Sequence, residues 1–182
     1  MRHIVLIGFM GSGKTKTGKC LAEELGYQFV DVDKKITTEM KMSVTDIFSR
    51  FGEVFFRALE TKAIKELRQL EQSAVISVGG GLPMQKQNHK YLKQLGAVIY
   101  LKGTVETLKK RLEGDRTRPL LEGADLEGKI RRMLTAREPV YEKLADITVT
   151  TGNQPLQQLV QEIAQKWKEY EIQYLLNSKS HV

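Results

Sequence analysis

The sequence is poor in the residues and runs that define several large protein classes. Its 182 residues include one cysteine, Cys20, which excludes an internal disulfide framework and a cysteine-built zinc site. Only three histidines, His3, His89 and His181, are present, and their scatter argues against a structural metal or a histidine-based triad. The apolar runs, such as those at residues 4–7 and 97–101, have the length of strands and are far short of a membrane span, so we expect neither a signal peptide nor a membrane span. These absences predict a cytoplasmic protein.

Positive charge exceeds negative charge in the composition. The chain has 29 Lys and Arg against 22 Asp and Glu, a formal net charge of +7. Such an excess favours nucleic acids, anionic membranes or small anionic substrates, although surface lysines that serve solubility are an equal explanation. The positions of the arginines in the motifs decide between these explanations better than the net charge does.

Short apolar segments alternate with helical ones along the chain. Strands are predicted at residues 4–8, 28–32, 74–78, 97–101 and 147–150. Helices are predicted at residues 14–25, 44–70, 87–95, 104–112 and 126–141. The strands are almost continuously apolar, which is typical of strands covered on both faces. The alternation therefore predicts a doubly wound α/β sheet.

Three segments depart from this alternation. Residues 33–60 have helical sequence where a strand crossover needs only one short element. Residues 114–128 contain three glycines and a proline, which predicts a mobile loop. Apolar residues after Trp167 permit one more amphipathic helix at about 166–176, which either packs on the domain or serves as an interaction helix.

Residues 8–15, GFMGSGKT, match the phosphate-binding pattern G-x-x-x-x-G-K-[ST] between a predicted strand and a predicted helix. Glycines allow the backbone N–H groups to approach phosphate oxygens, and the helix N-terminus adds a favourable dipole. Lys14 is placed to bridge the β- and γ-phosphates, and the Thr15 hydroxyl is placed to bind Mg²⁺. The expected ATP contacts in this segment are Gly11, Ser12, Gly13, Lys14, Thr15 and Lys16. The motif predicts nucleotide binding but does not name the reaction.

Two carboxylates follow the second predicted strand. Alternation along a strand would place Asp31 and Asp33 on the same side, at the carboxyl edge where α/β sheets bind ligands. One carboxylate would then hold Mg²⁺ through water while the other accepts a proton from an attacking hydroxyl. Helix N-capping is the alternative explanation, because Asp is a favoured N-cap residue.

A cluster of charges and a glycine run suggest a binding site for a second substrate, which would accept the group transferred from the nucleotide. Glu53, Arg57 and Glu60 share one helix face, either as an exposed ladder of ion pairs or with the arginine directed at a substrate carboxylate. The run Gly79-Gly80-Gly81 follows the third predicted strand and permits close approach of a ligand, although a simple turn needs only one glycine.

These motifs together resemble those of the shikimate kinase family, from residue 4 to about residue 164. The matching segments are GFMGSGKT, the DVD strand end, DIFSRFGEVFFRALE, SVGGG, RTRPLL and AREPVYEKLAD. The resemblance implies a three-layer α/β/α P-loop kinase fold with a five-stranded parallel sheet in the order 2-3-1-4-5. It also implies a single domain, with a helical acceptor-binding insert at about 33–60 and a lid loop at about 112–125.

The resemblance further implies an ATP-dependent transfer to the 3-hydroxyl of shikimate, in aromatic amino acid biosynthesis, with Mg²⁺ as cofactor. The residues that it assigns to shikimate are Asp33, Arg57, Glu60, Gly79, Gly80, Gly81 and Arg137. Arg57 and Arg137 would bind the carboxylate, Glu60 would orient Arg57, and Asp33 would hold the hydroxyls and act as the base. Phe48 and Phe56 would form an apolar wall.

The remaining implied roles concern the metal, the lid and the adenine. Asp31 would hold Mg²⁺ through water beside Thr15, since the third predicted strand has no aspartate at its end. The lid motif assigns Arg118 to the phosphates and leaves Arg116 open. Arg111 would stack on adenine, with Pro155 near its other face. The expected partners are ATP and shikimate, without nucleic acid or membrane, and the expected state is a monomer.

Three alternatives stay open at this stage. A kinase for another anionic polyol, such as gluconate, would share the phosphate loop. A nucleotide-dependent nucleic-acid-binding protein would account for the basic composition, although no pattern of base-stacking aromatic residues is present. A regulatory relative without activity is the third, although the family motif positions are filled.

Overall fold

A parallel sheet forms the centre of the chain in a computed structural model that describes residues 3–114 and 125–179. Within those residues the strands are β1 (His3–Ile7), β2 (Gln28–Asp31), β3 (Ala74–Ser77), β4 (Gly96–Gly103) and β5 (Ile147–Thr151). The helices there are α1 (Lys14–Leu25), α2 (Val32–Met40), α3 (Val44–Glu66), α4 (His89–Leu95), α5 (Val105–Leu112), α6 (Leu126–Leu144) and α7 (Leu156–Lys179). All strand pairings are parallel, and the order β2-β3-β1-β4-β5 confirms the predicted sheet.

The central strand β1 distributes its side chains between two apolar clusters, one on each face of the sheet. Val5 and Ile7 belong to a cluster with residues of α2 to α6. Ile4 and Leu6 belong to a second cluster with residues of α1 and α7. Because successive side chains of a strand point to opposite faces, this alternation produces the three-layer α/β/α arrangement that was predicted.

Strand β2 ends earlier than its sequence predicts. Helix α2 begins at Val32, so Asp33 lies in its first turn and the prediction that it extends from the strand is wrong. Asp31 and Asp33 nevertheless line the same cavity, as the prediction of a shared side requires. The Asp31 carboxylate accepts a 3.1 Å hydrogen bond from the backbone N–H of Lys34, which caps the helix. The capping explanation is therefore confirmed for Asp31.

Helix α3 is interrupted and is shorter than predicted. Its backbone breaks at Gly52, whose φ of 80° and ψ of 170° lie in a region open essentially to glycine. The helix ends at Glu66, and a 3-10 turn (Leu67–Gln69) occupies the rest of the predicted segment. Glu53, Arg57 and Glu60 all follow the break, so they keep the helical spacing that places them on one face.

The predicted C-terminal helix is the second half of a longer one. Helix α7 begins at Leu156 instead of about residue 166. Trp167 is buried in the cluster beside α1, whereas Ile172, Leu175 and Leu176 are exposed. In the part of the chain that the structure describes, none of the helices has the length and apolar character that crossing a bilayer requires.

Candidate active site

The phosphate loop connects β1 to α1 and has the backbone that its glycines predict. Gly11 and Gly13 adopt φ values of 78° and 92°, in the left-handed region that other residues avoid. The Lys14 ammonium crosses the loop and donates 2.9 Å hydrogen bonds to the carbonyl oxygens of Gly8 and Phe9. The lysine therefore lies over the loop that would receive the phosphates.

A cavity of about 320 Å³ opens above this loop at the carboxyl edge of the sheet. Its lining includes Lys14, Thr15, Lys16, Asp31, Asp33 and Gly79. The fold thus brings residues predicted for ATP and residues predicted for the acceptor into one cavity, from three separate parts of the sequence.

Thr15 and Asp31 form the candidate metal site in this cavity. The Thr15 hydroxyl donates a 2.7 Å hydrogen bond to Oδ2 of Asp31. Both side chains offer oxygen atoms, the ligands that Mg²⁺ prefers, so the pair fits that ion. The described residues contain no group of three or more His, Cys, Asp or Glu able to hold a metal. A Mg²⁺ ion here would therefore complete its coordination with nucleotide phosphates and water, as is usual for this metal.

Arg57 is held between two carboxylates on α3. Its Nη2 and Nε atoms donate to Oε1 of Glu53 at 2.7 and 3.1 Å, and its Nη1 donates to Oε2 of Glu60 at 2.7 Å. The guanidinium carbon lies 5.9 Å and 5.7 Å from the ring centres of Phe48 and Phe56, which are in contact with each other. The alternative explanation, a solvent-exposed ladder of ion pairs along α3, is wrong, because the Arg57 side chain is only 11% exposed.

Glu60 is the buried member of this group, with no exposed surface. Burial raises the pKa of Glu60 to about 7, although the Arg57 guanidinium opposes the shift. Its Oε2 atom accepts from Arg57, and its Oε1 atom has no hydrogen-bond partner among the described residues. The carboxylate therefore fixes Arg57 at a high cost in desolvation.

The three glycines after β3 provide room for these side chains. A Cβ atom on Gly79 would lie 2.6 Å from Oε1 of Glu60 and 2.8 Å from Oδ1 of Asp33. A Cβ atom on Gly81 would lie 2.3 Å from Nη2 of Arg57. A simple turn would not require glycine at both positions, so the run is explained by close packing against the acceptor-site residues.

Helix α6 approaches the same turn from the other side. The Arg137 guanidinium lies 5.7 Å from the ring centre of Phe9, and its Nη1 atom is buried without a hydrogen-bond partner among the described residues. The Tyr141 hydroxyl, one helical turn further on, donates a 2.6 Å hydrogen bond to the carbonyl oxygen of Gly80. Sequence reasoning did not single out Tyr141, although its i+4 spacing from Arg137 within AREPVYEKLAD was available as a signal.

A second cavity, of about 350 Å³, lies beside the phosphate loop and is lined by Arg111, Lys16, Gly152 and Gln154 among others. Arg111 donates a 2.6 Å hydrogen bond to the carbonyl oxygen of Gly152 and lies 3.4 Å from the carbonyl oxygen of Ser12. Its guanidinium thus joins the phosphate loop to the segment between β5 and α7. Pro155 is exposed in that segment, next to Gln154.

Arg116 and Arg118 lie outside the described residues, as does most of the predicted lid at 112–125. Their assignment therefore depends on the sequence alone.

Comparisons with known proteins identify the family of the chain. The family model described as shikimate kinase matches residues 10–168. A shikimate kinase of Geobacter sulfurreducens is 39% identical over 170 residues, which are 93% of this chain and 93% of that protein. A shikimate kinase of Acinetobacter baumannii, solved in complex with shikimate, is 38% identical with a TM-score of 0.89, covering 93% of this chain and 94% of that one.

A more distant structure shares the fold alone. A gluconokinase of Sinorhizobium meliloti is 18% identical with a TM-score of 0.60, covering 96% of this chain and 97% of that one. The likeness to shikimate kinases is much stronger and extends over nearly the whole chain. The hypothesis that the chain is a kinase for another polyol is therefore not supported. The chain belongs to the shikimate kinase family.

Proposed function

We propose that this chain transfers the γ-phosphoryl group of ATP to the 3-hydroxyl of shikimate, with Lys14, Asp33 and Arg118 as its catalytic residues. The observation that carries the proposal is the shared cavity, in which Lys14 of the phosphate loop and Asp33 of α2 line one space. Family membership supplies the reaction, and the geometry of this cavity supports the assignment of individual residues.

ATP would bind with its phosphates on residues 11–16. The backbone N–H groups of the glycine-rich loop and the start of α1 favour negative charge there. Lys14, which lies across Gly8 and Phe9, would exchange these carbonyl contacts for the β- and γ-phosphate oxygens. The adenine would occupy the second cavity, against Arg111 and near Pro155.

Mg²⁺ would be held by the Thr15 hydroxyl directly and by Asp31 through water. When bound, this ion neutralises charge on the β- and γ-phosphates. The 2.7 Å contact between the two side chains supports the pairing, because two oxygens this close could both approach one ion and its bound water.

Shikimate would bind between α3, the glycine turn and α6. Its carboxylate would be bound by the guanidinium groups of Arg57 and Arg137, with Glu60 holding Arg57 in place. The backbone of Gly79, Gly80 and Gly81 would approach the ring closely, because no side chain intervenes. Burial disfavours the charged form of Arg57, but the carboxylates of Glu60 and Glu53 outweigh it and raise the pKa of Arg57, so the side chain would meet the substrate carboxylate as a cation.

Asp33 would accept the proton of the attacking hydroxyl. As that oxygen forms its bond to the γ-phosphorus, the bond from the γ-phosphorus to the bridging oxygen breaks and the electron pair leaves with ADP. Phosphoryl transfer of this kind depends on positioning and charge stabilisation rather than on covalent catalysis. The assignment of Arg118 to the transferring phosphoryl group rests on the resemblance of RTRPLL to the family lid.

Several further expectations belong to the same proposal. A monomer in the cytoplasm, acting on ATP and shikimate without nucleic acid or membrane, remains the expected state. The basic composition would then serve two anionic substrates, since excess positive charge steers such ligands toward their site.

The experiment measures ADP release by the purified chain with Mg-ATP, in the presence and absence of shikimate. Release that requires shikimate, and does not occur with gluconate or nucleoside monophosphates, is the expected result. ATP binding without shikimate-dependent release would contradict the proposal and direct attention to Asp33 and Arg57.

A further inference from the structure

Tyr141 is buried beside the proposed acceptor site without belonging to the residues assigned to any substrate. Its side chain is 0% exposed. The hydroxyl donates to the carbonyl oxygen of Gly80 at 2.6 Å, and the ring packs on Tyr100 of β4 with centres 5.2 Å apart. The side chain is therefore fixed at both ends, by the sheet below and by the glycine turn above.

The glycine turn needs such a fixed contact. Glycine has more backbone freedom than any other residue, so a run of three is ordered only by its surroundings. The turn continues into a 3-10 turn through the bond from the N–H of Leu82 to the carbonyl oxygen of Gly79, at 3.1 Å. The Tyr141 hydroxyl holds the middle residue, Gly80, from a helix 61 positions further along the chain.

The Tyr141 side chain, which holds the turn, also lies close enough to Arg137 and Arg57 for their charges to act on its hydroxyl. Tyr141 and Arg137 are four residues apart on α6 and share a helix face. A contact that fixes the position of Tyr141 along the helix therefore also fixes the position of Arg137. Burial raises the pKa of the Tyr141 hydroxyl to about 12, while the positive charges of Arg137 and Arg57 oppose the shift. At neutral pH the hydroxyl is thus protonated and able to donate.

We propose that Tyr141 is a positioning residue for the acceptor, whose hydroxyl holds the Gly79–Gly81 turn and the Arg137 end of α6 in the arrangement that receives shikimate. The inference rests on the proposed function, in which the turn and Arg137 bind that substrate. It adds a residue that touches neither substrate and acts through the groups that do.

Tyr141→Phe tests this inference, because it removes the hydroxyl and keeps the ring against Tyr100. The KM for shikimate is expected to rise about fivefold, as for the loss of one buried hydrogen bond. The KM for ATP should change less than about twofold, because Tyr141 contacts the acceptor side of the cleft. Direct calorimetric binding of shikimate to each protein should show the same difference.

Tyr100→Phe is the matched control. It also removes a buried tyrosine hydroxyl from the same pair of rings, but the Tyr100 hydroxyl has no hydrogen-bond partner among the described residues. This variant is expected to keep both KM values. Melting temperatures of all three proteins are measured first, and kinetics are run well below the lowest midpoint so that every protein is folded in the assay.

The outcomes separate the inference from the function on which it rests. An increase in the shikimate KM that is confined to Tyr141→Phe supports the positioning role. A Tyr141→Phe variant with an unchanged shikimate KM, whatever its melting temperature, would show that the residue is only structural. An unaltered chain without shikimate-dependent ADP release would overturn the proposed function, and this inference with it.

Discussion

The hydroxyl of Thr15 and the carboxylate of Asp31 lie 2.7 Å apart, although they belong to different elements, the first turn of α1 and the end of β2. Asp31 also caps α2 through its other oxygen, which accepts from the backbone N–H of Lys34. One carboxylate therefore has a structural role and a proposed metal-binding role, and a suitable substitution separates the two.

Asp31→Asn is that substitution. Asparagine caps helices as well as aspartate does, so α2 and the melting temperature should be little affected. Loss of the negative charge should weaken Mg²⁺ binding or activity by roughly 10- to 100-fold, as for other outer-shell metal contacts. The measurement is the Mg²⁺ concentration for half-maximal rate at fixed ATP. Asp31→Ala is the comparison, since it removes the cap as well and should lower stability by about 1 kcal/mol.

Arg57→Lys tests the proposed carboxylate contact. Lysine keeps the positive charge but loses the planar fork that now reaches Glu53 and Glu60 together. We expect the KM for shikimate to rise by roughly 10- to 100-fold, the value of a lost charge-assisted hydrogen bond, with the KM for ATP unchanged. Steady-state kinetics with each substrate varied in turn measure both constants. Retained shikimate affinity would count against Arg57 as a carboxylate ligand.

Much of this architecture is predictable because local sequence determines it. Apolar runs predicted all five strands. The phosphate-binding motif predicted the turn between β1 and α1, where Gly11 and Gly13 have the positive φ values that the turn requires. The strand order came from the family resemblance, since no local pattern encodes which strands are neighbours. Helical spacing singled out Arg57 as a possible carboxylate contact, whereas Arg137, which lies on a separate helix, came from the family resemblance alone.

The failures of prediction have two physical origins. Alternation along the DVD segment suggested a continuing strand, but Asp31 caps a helix that begins at Val32, a local contact that was the alternative explanation for the same residues. The bond from Tyr141 to Gly80 is instead a tertiary contact, between residues 61 positions apart that no local pattern relates. Local periodicity contains no information about such a contact, so it was found only in the folded chain.

Asp33→Asn tests the proposed base. The residue lines the cavity beside Lys14 and Thr15, and its Oδ1 atom would meet any side chain placed on Gly79. Asparagine has nearly the same shape but cannot accept the hydroxyl proton, so kcat should fall by roughly 10² to 10⁴-fold. ATP affinity, measured by calorimetry without shikimate, should be unchanged. A kcat within about twofold of that of the unaltered chain would exclude Asp33 as the base.

Glu60→Gln should change how stability depends on pH. Burial raises the pKa of Glu60 from 4.5 to about 7, so between these values the folded chain holds a proton that the unfolded chain has released. The stabilisation from this group is thus fully present below pH 4.5 and is lost as the pH rises through 7. The loss is on the order of 3 kcal/mol, and glutamine, which does not titrate, should abolish it.

The measurement is the free energy of unfolding in urea at a series of pH values between about 4.5 and 8. Stability of the unaltered chain should decline more steeply with rising pH than that of Glu60→Gln, so the two curves converge at the acid end and separate above neutrality. Glu53→Gln is the matched control, because it removes the half-exposed carboxylate from the same guanidinium, and it should retain the steeper decline. Parallel curves for the unaltered chain and Glu60→Gln would mean that Glu60 is ionised throughout this range, held so by the charge of Arg57.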